Sequence, residues 1–263
     1  MRFLVGFLAV LLAVSSGCGT DAPERVSANT DASALLRSTV QNLPELKSAS
    51  VDLKVSARDG SARVTGPFAA GDNARELPRF ALAATITSGT RTKTAGATWT
   101  GERGYATLDG TAYEVPSLYV RQLTAGFEQA APLLGVDVSK WVTAPRNEGT
   151  ADVAGVETIK VSGAANVPQV AADVRKLVAS LPLGAALPPL SAGAVKNARV
   201  DVYTGAADQQ LRRLVVSATA DGHPVVVDLT LSKVGADVSI DAPKNARPFS
   251  ELTGKLGALR LIR

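Results

Sequence analysis

Tyr105-Ala106-Thr107-Leu108-Asp109-Gly110-Thr111-Ala112-Tyr113-Glu114-Val115 reads as two short strands joined by a two-residue turn. Asp-Gly is a pair that a tight hairpin prefers, because both turn residues need positive φ. The same alternation runs upstream. Phe80, Leu82, Ala84 and Ile86 share one face, with Ala81, Ala83 and Thr85 on the other. Ala95, Ala97 and Trp99 repeat the pattern within residues 92–100. Farther back, Val51, Leu53 and Val55 alternate with Asp52, Lys54 and Ser56. Asp59-Gly60 marks a turn, and Arg63-Val64-Thr65-Gly66-Pro67-Phe68 continues as a second strand. A period of two marks a half-buried strand. The first half of the chain therefore reads as an antiparallel meander.

Helical signals break this pattern at four places. Thr30 or Asp31 can cap a helix through Ala34, Leu35, Leu36, Val40 and Leu43, which Pro44 bends or ends. Pro116 opens a stretch in which Leu118, Val120, Leu123, Phe127, Ala130 and Leu134 recur at spacings of three and four. Residues 167–181 read as another amphipathic helix, with Val170, Val174, Leu177 and Val178 on one face. A short helix is expected between Pro248 and Leu259. Between them, residues 144–149 read as a polar loop and residues 151–163 as a hairpin around Gly155. Residues 183–189 are apolar but broken by prolines, hence a loop. A meander over residues 198–203, 211–220 and 224–233, turning at Asp221-Gly222, is followed by a last strand at Val238-Ser239-Ile240. This order predicts an α+β fold, a curved antiparallel β-sheet half-barrel covered by helices. Such a shape can enclose an apolar cavity.

The N-terminus carries a different signal. Met1-Arg2 is followed by twelve apolar or small residues from Phe3 to Val14, then by Ser15-Ser16-Gly17-Cys18. That run suits a secretory signal and is too short to span a bilayer. A cleavage site that abuts a cysteine resembles a bacterial lipoprotein signal. Ser16 and Gly17 fit it, while Ser15 stands where a branched aliphatic residue is usual. The resemblance implies that residues 1–17 are removed. Cys18 then receives diacylglycerol on sulfur, becomes the acylated N-terminus (palmitate is a typical acyl group), and ties the protein to the outer face of the plasma membrane. Residues 18–30 are polar and turn-rich, a flexible tether. Residues 31–263 read as a single domain.

Composition narrows the function. Cys18 is the only cysteine, so no intramolecular disulfide stabilises an exported chain and its core must do so. Hydrophobic residues make up 46% and aromatics only 5%, so that core is aliphatic. The net charge of +4 is scattered without a block of basic residues, which argues against nucleic acid as a partner. His223, the sole histidine, sits in the turn after Asp221-Gly222. No Gly-x-Ser-x-Gly elbow, Ser-x-x-Lys, phosphate-binding glycine loop or His/Cys cluster is present. These absences argue against an enzyme, a metal centre or a cofactor.

Several stretches together resemble the LppX/LprA/LprF/LprG lipoproteins of actinobacteria. They are the lipoprotein signal, the strand of residues 50–57, the hairpin of residues 105–113 and the stretch of residues 148–163, in one order. Val138-Ser139-Lys140-Trp141, the turn Val153-Ala154-Gly155-Val156-Glu157-Thr158 and the ending Val238-Ser239-Ile240-Asp241-Ala242-Pro243 are particularly similar. The resemblance implies a half-barrel related to the carriers LolA and LolB. It also implies a cavity for the acyl chains of a lipid or glycolipid, handed on within the cell envelope. It carries no catalytic motif, and the protein partners stay unknown. The cavity reading places Leu53, Val55, Val64, Phe68, Phe80, Leu82, Ala84, Ile86 and Trp99 on the concave face, with Cys18 as the lipidation site. The alternative is a non-enzymatic envelope adaptor, or structural lipoprotein, in which the same residues fill a dry core. Small residues (Ala81, Ala83, Ala84, Ala95, Ala97 and Ala106) favour the cavity, since alanine is otherwise a poor strand former.

Overall fold

The structure, a computed structural model, describes residues 25–71, 78–119, 137–180 and 195–260, with the side chains of residues 174–180 and 255–260 left aside. Cys18 and the signal, most of the expected helix at residues 118–134 and the loop at residues 183–189 lie outside the described residues.

Twelve strands form one sheet among the described residues. They are β1 (Ser48–Ala57), β2 (Gly60–Ala69), β3 (Arg79–Ser88), β4 (Arg91–Trp99), β5 (Gly104–Leu108), β6 (Thr111–Val115), β7 (Val142–Val153), β8 (Val156–Ala165), β9 (Val195–Gly205), β10 (Leu211–Ala220), β11 (His223–Ser232) and β12 (Arg247–Pro248). Helices α1 (Ala32–Asn42), α2 (Val167–Ser180) and α3 (Phe249–Arg260) accompany them. The spatial order is β12-β6-β5-β4-β3-β2-β1-β11-β10-β9-β8-β7. All pairings are antiparallel except β12 on β6. The outer strands β7 and β12 do not pair, so the sheet is open.

Local chemistry explains most of these elements. The expected meander of the first half is there, β1 to β6 in sequence order. Asp109-Gly110, Ala154-Gly155 and Asp221-Gly222 each place two successive residues at positive φ, the hairpin geometry that their glycines favour. The side chain of Asp31 accepts from the Ala34 N–H at 2.8 Å and caps α1, and Pro44 turns the chain into a 3-10 turn.

Two expectations need correction. Residues 144–149 are part of β7 rather than a loop. The strand lies at the sheet edge, where Pro145 costs no ladder hydrogen bond. Register shifts between Thr143 and Arg146, and between Asn147 and Thr150, absorb Ala144 and Gly149, both at positive φ. Val238-Ser239-Ile240 form no strand. Both sides of β11 are already taken by β1 and β10, and the two-residue β12 takes the distant edge beside β6.

The sheet has two ends. One carries the turns after β1, β3, β5 and β10; the other carries Trp99, Gly205, Leu211 and the β7–β8 turn. The described chain enters at the second end, where the Val26 N–H donates to the Ala206 carbonyl at 2.9 Å and Arg25 pairs with Glu157.

The packed core sits on one face of β8, β9 and β10. Ile159, Val161, Val200 and Val202 are fully buried beneath Leu35 and Leu36 of α1. Buried Thr39 of α1 meets Thr204 of β9 through their hydroxyls at 2.6 Å, so the helix and the sheet satisfy each other's polar groups. Beside them, the indole N–H of Trp141 donates to Asp173 of α2 at 2.8 Å, and Gln169 donates to the same carboxylate at 2.9 Å.

Candidate functional site

Strand register decides which side chains share a face. Leu53 stands opposite Val64, Val64 opposite Ala84, and Ala84 opposite Ala95. Phe68 stands opposite Phe80, and Phe80 opposite Trp99. Val55 stands opposite Ala62, Ala62 opposite Ile86, and Ile86 opposite Lys93. Leu82 is two residues from both Phe80 and Ala84 on β3. All nine expected residues therefore lie on one face. Ala84, Ala95, Ala97 and Ala106 share it, whereas Ala81 and Ala83 belong to the opposite face.

This apolar face is continuous with the packed core. Leu53 and Val55 pair with Leu229 and Val227 of β11, which pair with Leu214 and Val216 of β10, and these with Val202 and Val200 of β9. Burial changes along it. Beneath α1 the face is sealed, and Val200 and Val202 have no exposure. Over β1 to β4 it is only half-buried at Leu53, Val55, Val64, Phe80, Leu82 and Ala84, while Ala95 and Ala97 are exposed and Ile86 is 53% exposed. Apolar side chains thus continue from the sealed core across β1 to β4, with exposure rising toward β4.

Two polar groups interrupt it. Trp99 Nε1 is buried without a hydrogen-bond partner, next to Phe80. Lys93 is exposed at the far end, opposite Ile86. The sequence also left the contribution of Leu214, Val216, Val227 and Leu229 unread. Their alternation was visible, but the pairing of β1 with β11 that brings them to this face was not.

The opposite face is a ladder of ion pairs. Arg63 grips Asp52 through two bonds of 2.9 Å, Lys54 adds a third contact at 3.2 Å, and Arg213 grips Asp228 at 2.7 and 2.9 Å. Lys160 and Arg199 reach Asp201 at 3.2 and 3.0 Å, and Ser162 donates to it at 2.6 Å. Burial pushes the Asp201 carboxyl up, but Ser162, Arg199 and Lys160 together outweigh that and hold it below the usual aspartate range. The Tyr203 ring lies 5.6 Å from the Lys160 ammonium and 5.5 Å from the Arg213 guanidinium. Each of these three carboxylates is held by a cation, Asp52 and Asp201 by two each. His223 Nε2 lies 2.8 Å from Arg58 Nη1 and accepts from it, which occupies the nitrogen a general base would use. No group of three metal-ligating side chains occurs among the described residues.

Among solved structures the chain is similar to LprF from Mycobacterium bovis, at 18% identity and a TM-score of 0.49, covering 83% of this chain and 99% of that one. It is also similar to the lipoprotein LppX from Mycobacterium tuberculosis, at 16% identity and a TM-score of 0.45, covering 80% and 97%. Both belong to the group that the sequence resembles. A LolA superfamily protein from Nitrosomonas europaea matches more distantly, at 7% identity and a TM-score of 0.21, over 81% of this chain and 96% of that one. At these identities the likeness is one of fold. No family model and no curated protein matches the sequence.

Proposed function

We propose that this protein binds the acyl chains of a lipid or glycolipid on the half-buried apolar face of β1 to β4 and carries it within the cell envelope, tethered through an acylated Cys18. One observation carries the reading. A single apolar face is sealed over β8 and β9 beneath α1 and left half-open from β10 through β11 and β1 to β4, with alanines at Ala84, Ala95, Ala97 and, on β5, Ala106 where bulk would close it. Alanine brings no strand propensity, so its concentration there is explained by the room it leaves. Each methylene buried on that face contributes about 0.8 kcal/mol. Long chains would then be held too firmly for rapid exchange, so release needs an element to move. Asp173 fastens the first half of α2 to Trp141, which points to movement elsewhere.

Native mass spectrometry of the full chain tests the reading. A co-purified species of lipid mass, lost on denaturation, is the expected result. A clean protein mass, together with no uptake of a fluorescent phospholipid, would leave the envelope adaptor as the better account. The membrane tether is tested separately by the mass of the N-terminal peptide, which should carry diacylglycerol on Cys18.

A further inference from the structure

The two tryptophans of this chain are treated differently. Trp141 donates its indole N–H to the buried carboxylate of Asp173 at 2.8 Å. Trp99 has its Nε1 buried with no acceptor. A buried donor without a partner is destabilising relative to an apolar group of the same shape, so the unliganded fold gains nothing from that nitrogen. Trp99 sits on the candidate face itself, at the end of an aromatic row with Phe68 and Phe80. From that row toward the β3–β4 turn the face is aliphatic: Leu82 and Ala97, then Ala84 and Ala95, then Ile86. Ile86 lies six positions beyond Phe80, a run of about 20 Å along an antiparallel strand.

A buried hydrogen-bond donor at one end of a long apolar strip, with the exposed Lys93 at the other, matches a ligand with one acceptor at the head of a hydrocarbon chain, once the groups that cover the nitrogen move aside. The ester carbonyl of an acylated lipid is that acceptor. We propose that the Trp99 indole N–H donates to the ester carbonyl of the bound lipid, and that the acyl chain runs from there along β3 and β4 toward Ile86. Trp99 then distinguishes acyl esters from alkyl ethers of equal length, because an ether lipid places no carbonyl at the nitrogen. This deepens the lipid-binding reading and rests on it.

The test compares dipalmitoyl phosphatidylcholine with its dihexadecyl ether analogue, each competing with a fluorescent phospholipid for the full chain. The unaltered protein should prefer the ester about three- to tenfold, the worth of one hydrogen bond. Trp99→Phe should bind both lipids equally, near the level of the ether. In the unaltered protein labelled with nitrogen-15, the ester should shift the Trp99 indole N–H resonance while that of Trp141 stays in place, and the ether should leave both unmoved. This second readout needs no variant and holds even if Trp99→Phe folds poorly. Binding of both lipids without preference, or a preference that survives Trp99→Phe, overturns the anchor and leaves the carrier reading standing. Binding of neither lipid overturns both.

Discussion

A Cβ on Gly66 would overlap the Ala81 carbonyl oxygen, and Gly66 sits at φ +145°, where side chains are strained. Its neighbour Pro67 has no N–H to give, and the β2–β3 ladder skips from Thr65 to Phe68. The Gly66-Pro67 pair thus interrupts the ladder of an internal strand at a residue with no N–H of its own, and the Ala81 carbonyl of β3 lies where a Cβ on Gly66 would be. Gly66→Ala should cost about 2–3 kcal/mol, through strain and backbone overlap together. A denaturant midpoint within error of the parent would show that the strand relaxes freely. Asp201 supports a second prediction at this scale. Its carboxyl is held below the ordinary value of about 3.9, so the stability it contributes is fully present above that pH and is lost as pH falls through the depressed native value. Asp201→Asn should lower the melting temperature at pH 7 and reduce the loss between pH 4 and 2. Asp52, depressed by Arg63, preserves part of that acid limb. An unchanged acid limb would mean that the ladder around Asp201 adds no stability.

Among the sheet's elements, two positions on one face should answer the same insult in opposite ways. Ala49 of β1 is fully buried against the core, and Ala84 of β3 is half-buried on the open part. Ala49→Trp should destabilise by about 1–3 kcal/mol or prevent folding, through overpacking. Ala84→Trp should leave stability within about 1 kcal/mol and reduce lipid loading, read as the fraction of lipid-bound protein by mass spectrometry. Equal destabilisation by both would mean that β3 packs as tightly as β1. The contrast shows what the pattern of residues carries and what it omits. A period of two fixed the face of all nine candidates, because strand geometry leaves no other choice. It did not separate Val202, sealed under α1, from Leu82, left half-open, since both alternate in the same way. Packing depends on which helix lies above, and pairing on which strands meet. β1 and β11 are far apart in sequence, so their register was invisible until the fold joined them. Pro145 suggested a loop for a related reason, because nothing local reveals that a strand lies at an edge.

For the whole molecule, the anchor proposed at Cys18 would set an orientation. Seven residues lead from Cys18 to Arg25, a reach of at most about 25 Å. Arg25 and Val26 join the sheet at the end that carries Trp99 and the β7–β8 turn, through Glu157 and Ala206. Ile86 lies about 24 Å along β3 from that end and six strand spacings, about 29 Å, across the sheet from β8, together farther than that reach. A bilayer holding acyl groups on Cys18 would therefore lie closer to Val156, beside the β7–β8 turn, than to Ile86, beside the β3–β4 turn. Both side chains are exposed, at 38% and 53%, so a label at either site leaves the core intact. Acylation of Cys18, the sole cysteine, would also leave no other thiol to react. In vesicles carrying the anchored protein, a fluorophore on Val156→Cys should be quenched by a quencher in the bilayer more strongly than one on Ile86→Cys. This orientation puts the Trp99 end of the apolar face nearest the lipid surface. An ester group at Trp99 would then stay beside the headgroup layer while its chain extends along the sheet. Equal or reversed quenching would place the β3–β4 turn at the membrane and require the lipid to enter past Lys93 instead.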